Sequence, residues 1–334
     1  MTKDLSGKFK LISLICTIMV VYRHAHTMQA FGGNIYNNWY LYSFIGHGFT
    51  YITSIAVPYF FLISGFFFFK QSYYIRNNYK KMLIKKVKTL FIPFIIWNII
   101  AFFPLWIYGM TDIETWWVFI VKLLHSDFNG PLWYVRTLML LMFLSPLYDW
   151  IFLLDRYVGK KIEIIVQIVV ITYIIYIWWP MDSKVFSTEG WLFFLLGGML
   201  RKNVTVLEVK INKICSVLLY SCWIITCFLM VQNYWVNKLH LLLGVFLFWH
   251  IIGKESKGWV TSLSGYTFFI YVNHFILLKV LKTILAYYFY GNECVALFTF
   301  LLSPLFVIII IWKIGQMWYR ISSNSFNFVT GGRS

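Results

Sequence analysis

Ten stretches of about 17 to 25 apolar residues, separated by short basic loops, constrain this chain more than any other feature. They start near residues 9, 47, 88, 132, 162, 189, 212, 236, 263 and 295. Inside a bilayer such a run has no water to satisfy its amides, so it closes its own hydrogen bonds as a helix. The expected fold is an all-α integral membrane protein of about ten transmembrane helices. Only 12% of the 334 residues are charged, about half the usual share of a soluble domain. The chain is read as one membrane domain over residues 1–334, with a short, loose tail from about residue 321 and no room for a sizeable soluble domain.

Loop charge sets the orientation. With the N-terminus placed in the cytoplasm, 22 of the 29 Lys and Arg fall on the cytoplasmic side; the others are Arg23, Lys122, Arg136, Lys184, Lys238, Lys279 and Lys282. That asymmetry follows the positive-inside rule and predicts that both termini are cytoplasmic. The net charge of +17 is therefore no sign of nucleic acid, because the basic residues are confined to loops between apolar runs. The N-terminus imitates a secretory signal but has no clear small-residue cleavage site, so it is read as a retained first helix.

The five cysteines, Cys16, Cys215, Cys222, Cys227 and Cys294, lack metal-type spacing and read as small buried hydrophobes, with no metal site expected. All twelve acidic residues lie in loops or at span ends, as Asp127, Asp149, Asp182 and Glu189 do. Proton-coupled transporters place carboxylate relays within their spans; here the natural base is a histidine.

The sequence Arg23-His24-Ala25-His26 ends the first span. His24 stands fourteen residues beyond Lys10, about 21 Å along a helix, deep in the bilayer, where an ionisable group marks a site. Arg23 and His24 are expected to share a sector, with His26 pointing elsewhere. An imidazole there can take a proton from a hydroxyl and return it to a leaving group; the competing reading is a helix-end cluster that snorkels to the interface. Lys85, Lys86 and Lys88 close a basic loop that also holds Lys70, Arg76, Lys80 and Lys81, and run into Pro93 and span three. They can hold a phosphorylated ligand or anionic lipid headgroups. Ser64 and Gly65 interrupt an aromatic run and allow close helix packing or ligand access. Trp133 and Arg136 share a helix face at i, i+3, where Arg136 orients a substrate or reaches the outer interface. Asn273 and His274 lie inside span nine, where a lone histidine more often serves packing than catalysis.

Taken in order, several of these segments resemble the acyltransferase 3 family of bacterial membrane O-acyltransferases. They are Leu14-Ile15-Cys16-Thr17 through His24; Ile63-Ser64-Gly65-Phe66; Lys85-Lys86-Val87-Lys88 to Ile92-Pro93; Leu132-Trp133-Tyr134; Phe194-Leu195-Leu196-Gly197; and Ile270-Tyr271-Val272-Asn273-His274. The resemblance implies a functional His24 and an acyl-CoA site at Lys85, Lys86 and Lys88. Many members carry Arg where this chain has Ser13, and their basic motif usually contains Arg where this chain has only Lys, which binds phosphate without a bidentate fork. The extra C-terminal extracytoplasmic domain of longer members has no counterpart in this sequence.

The function so implied is transfer of an acyl group, most simply acetyl, from cytosolic acyl-CoA to a hydroxyl of a cell-surface or lipid-linked glycan in a bacterial cytoplasmic membrane. His24 is assigned as base or acyl carrier, with Arg23 beside it. Arg136, Trp133, Ser64, Asn273 and His274 are assigned to the substrate. The expected partners are acyl-CoA as donor, the glycan acceptor and membrane lipids, with a homo-oligomer or envelope-synthesis proteins as further partners. The alternatives are a transporter or flippase of a glycan or lipid intermediate, and a non-catalytic envelope-complex component. The sequence has no inverted repeat to favour the transporter.

Overall fold

The computed structural model describes residues 3–33, 39–70, 76–109, 111, 113–181, 187–208, 211–229, 234–253 and 258–332. Asp182 and Lys184 lie outside these. The described residues form helices and no strands. In chain order they are α1 (Lys3–His24), α2 (Tyr40–Thr53), α3 (Ala56–Phe68), α4 (Arg76–Lys86), α5 (Ile92–Ile107), α6 (Trp116–His125) and α7 (Trp133–Phe143). Next come α8 (Asp155–Val158), α9 (Lys160–Met181), α10 (Thr188–Lys202), α11 (Lys213–Leu229) and α12 (Tyr234–Ile251). The chain continues with α13 (Gly258–Ser264), α14 (Thr267–Tyr288), α15 (Glu293–Ile321) and α16 (Ser323–Thr330).

Helices begin at or near the starts of the apolar runs, but the run from residue 132 is broken: α7 ends at Phe143 and short 3-10 turns follow at Ser145–Leu147 and Asp149–Leu153. Five helical segments among the described residues are long and apolar enough to cross a membrane: Leu5–His24, Tyr40–Phe68, Asn78–Ile107, Thr267–Tyr288 and Glu293–Ile321. The chain is a membrane protein. Trp116–His125, Lys213–Cys227 and Trp235–Ile251 are shorter apolar helices.

The chain forms two compact units. The first comprises Met1–Val57, Lys210–Ser323 and Arg333–Ser334. Within it α1 packs on α2, α13, α14 and α15, and α11 pairs with α12. The buried positions of α15, from Ala296 through Phe300, Pro304, Val307 and Ile311 to Gly315, recur at the 3.6-residue period of a helix with one inward stripe. Asn292 caps this helix by accepting from the Val295 amide at 3.0 Å.

The second unit comprises Pro58–Val209 and Asn324–Gly332. In it α3 and α10 approach each other closely at two glycines. A Cβ at Gly65 would overlap the Phe194 carbonyl, and one at Gly197 would overlap the Leu62 carbonyl. Two of the sequence motifs therefore serve one backbone contact, as small residues do between membrane helices. Glu163, three residues into α9, is buried and paired with Lys202 of α10, and accepts from Gln167 Nε2 at 2.8 Å.

Three expectations need correction. The tail is not loose: α16 buries Phe326 and Thr330, and Trp97 Nε1 donates to the Val329 carbonyl at 2.8 Å. Of the cysteines only Cys16 is buried; Cys227 is half-buried, and Cys215, Cys222 and Cys294 are exposed. The lysine cluster does not precede a helix. It lies inside a continuous helical run from Arg76 to Ile107, interrupted by a π-helical turn at Val87–Phe91.

Candidate active site

In the first unit, the site is built around the C-terminal turn of α1. That turn is held from outside its own helix. Lys282 of α14 donates to the carbonyls of His24 at 3.0 Å and His26 at 3.1 Å. An ammonium at these carbonyls satisfies groups that a helix end leaves open, and it meets the negative end of the helix dipole. Thr27 fixes the next step, its amide donating to the Tyr42 hydroxyl at 2.6 Å and its hydroxyl to the Ala296 carbonyl at 2.8 Å. Tyr22 reaches the Leu301 carbonyl at 3.0 Å.

The His24 ring faces α14. Its centroid lies 5.3 Å from that of His274 and 5.4 Å from that of Phe275, the latter edge-on at 83°. Among the described residues its ring nitrogens make no hydrogen bond. His274 is completely buried, with Nδ1 2.7 Å from the Tyr271 carbonyl. A carbonyl only accepts, so Nδ1 carries the hydrogen and the neutral ring keeps its lone pair on Nε2. That Nε2 is buried and has no hydrogen-bond partner among the described residues. An unsatisfied buried nitrogen is costly and calls for a chemical explanation. Its ring lies beside a second imidazole, with centroids 5.3 Å apart and no direct hydrogen bond between the two.

The neighbouring residues divide differently from expectation. Arg23 donates to the Thr50 carbonyl at 3.0 Å, and His26 Nε2 lies 2.7 Å from the Thr50 hydroxyl. Arg23 and His26 therefore meet at Thr50, while His24 meets His274. His26 lies beyond the span; burial first, then the charges of Arg23, His47 and Lys282, lower its pKa and favour the neutral ring. Asn273 turns its amide back to the Phe269 carbonyl at 2.9 Å. Sequence reasoning missed Lys282, counting it only as an outer charge. Its position eight residues after His274 was the available signal, because i and i+8 share a helix face.

In the second unit, Lys85 and Lys88 are exposed and Lys86 half-buried, where α4 passes into the π turn. π turns are rare and recur at functional sites. Pro93 has no amide hydrogen to offer the Thr89 carbonyl, and its ring presses on that carbonyl, so the helix distorts here. Gly331, with φ +68°, packs so closely on the Thr89 carbonyl that a Cβ would overlap it.

The remaining assigned residues also lie in the second unit. Ser64 Oγ is 2.8 Å from the Tyr134 hydroxyl, which also reaches the Phe60 carbonyl at 3.2 Å. Trp133 is half-buried against Phe61, with ring centroids 6.3 Å apart. Arg136 does not reach out to an interface. It is 9% exposed and donates through a terminal nitrogen to the His125 carbonyl at the end of α6. A guanidinium there acts as a helix cap, with Ser126 beside it in the left-handed conformation at φ 60°.

No curated protein and no solved structure matches the chain. Residues 10–313, which include both the histidine pair and the lysine turn, match the family described as an acyltransferase domain. The chain belongs to the acyltransferase 3 family of membrane acyltransferases.

Proposed function

We propose that the protein is an O-acyltransferase of the bacterial cytoplasmic membrane, most simply an O-acetyltransferase, that moves an acyl group from cytosolic acyl-CoA to a hydroxyl of a cell-surface or lipid-linked glycan. The reading includes ten membrane crossings with both termini in the cytoplasm, as the loop charges favour. The observation that carries it is the pairing of half-buried His24 with buried His274, whose Nε2 is unengaged among the described residues.

In this reading the His24 imidazole takes the proton of the acceptor hydroxyl as its oxygen attacks the thioester carbonyl. The tetrahedral intermediate collapses, the carbon–sulfur bond breaks, and the CoA sulfur takes the proton back from His24. The products are the ester and free CoA thiol. His274, with its hydrogen fixed on Nδ1 by Tyr271, offers a lone pair that stabilises the His24 imidazolium. Lys282 keeps the α1 turn in place. Lys85, Lys86 and Lys88 hold the CoA phosphates as point charges.

The test is release of labelled acetyl from acetyl-CoA by purified protein supplied with membrane glycan, together with acetyl-CoA binding by the Lys85→Ala/Lys86→Ala/Lys88→Ala variant. Turnover by wild type and weakened binding by the variant are expected. A wild-type protein that binds no acyl-CoA contradicts the reading.

A further inference from the structure

Asn98 is a polar residue in the middle of an apolar helix, on the buried stripe of α5 with Pro93, Phe94, Trp97 and Ala101. It is completely buried. Its Nδ2 donates to the Phe94 carbonyl at 3.0 Å. That bond fixes the amide orientation, because the flipped side chain would set two oxygens against each other. Its Oδ1 is therefore the atom left over, buried and without a hydrogen-bond partner among the described residues. A packing residue in this position gains nothing from a bare carbonyl oxygen, whose desolvation is unfavourable.

What the oxygen lacks is an N–H donor inside an apolar setting. Asn98 is ten residues beyond Lys88 on the same helical run, about 15 Å along its axis. Acyl-CoA has its phosphates at one end, its thioester at the other, and two secondary amides along the pantetheine arm between them. We propose that Asn98 is a donor-binding residue whose Oδ1 accepts a pantetheine amide N–H while the lysines hold the phosphates. This assignment rests on the acyl-CoA reading given above and adds a second contact to the same ligand.

The experiment compares binding of CoA and of 3′-phosphoadenosine 5′-diphosphate, which keeps the phosphates and lacks the arm, to wild type and to Asn98→Leu in detergent. Asn98→Leu should bind CoA about tenfold more weakly, the worth of one buried hydrogen bond, and bind the fragment unchanged. Fragment binding also reports that the variant is folded. A second arm needs no variant: a CoA analogue with esters in place of both arm amides should bind wild type about tenfold more weakly than CoA. Equal CoA binding by Asn98→Leu and wild type, or equal binding of CoA and the ester analogue by wild type, overturns the role of Asn98 and leaves the donor reading standing. Failure of wild type to bind either CoA or the fragment overturns the donor reading itself.

Discussion

His240 and His274 are both completely buried on apolar helices of the same unit, yet their surroundings differ by one bond. His240 Nε2 donates to the Tyr51 carbonyl at 3.1 Å, Nδ1 lies 2.9 Å from the Thr226 hydroxyl, and Trp223 stacks on the ring at 5.2 Å. Both nitrogens are engaged, and the ring ties α2, α11 and α12 together. His274 engages only Nδ1, and the bond goes to its own helix. Its other nitrogen has been left open beside His24. Burial alone therefore does not separate the two histidines; the unengaged nitrogen of His274 does.

The largest effect that sharpens this contrast is in turnover. His274→Phe should lower kcat about 100-fold while melting near wild type, because the substitution strands only one helix carbonyl. His240→Phe should do the opposite, losing about 2–4 kcal/mol of stability as Tyr51 and Thr226 lose a partner, with normal turnover per folded molecule. Thermal melts and steady-state rates on the two variants check both halves. A stability loss in His274→Phe equal to that of His240→Phe would break the distinction.

A smaller effect tests how the site is held. Lys282→Met removes the ammonium that holds the His24 and His26 carbonyls. It should lower kcat about tenfold by loosening the turn, leave KM for acetyl-CoA unchanged, and be largely rescued by Lys282→Arg. The smallest catalytic effect belongs to Gly197→Ala. Its Cβ meets the Leu62 carbonyl, so stability should fall by about 1–3 kcal/mol with kcat of the folded fraction intact.

The helices were legible because each apolar run must close its own hydrogen bonds, and the runs are long. The missed elements lack that signal. Trp116–His125 has ten residues, too few to stand out as a span, and α16 is a polar Ser-Asn-Ser stretch anchored by Phe326, Val329 and Thr330. The π turn was invisible because it follows from how Pro93 meets Thr89, which no periodicity reports. His24 could be picked out by its depth, but its pairing with His274 joins helices far apart in the chain. Lys282 was counted only as an outer charge and Arg136 as a substrate or interface residue, yet each turns inward to a helix end. Counting cations as loop charges overlooks those that turn inward to close a helix end.

The most direct measurement is single-turnover transfer of labelled acetyl by His24→Ala, with the folded fraction normalised by acetyl-CoA binding. The expected result is wild-type donor binding with label transfer reduced by about 100-fold or more. Transfer at the wild-type rate by a variant that binds the donor normally would contradict His24 as the base.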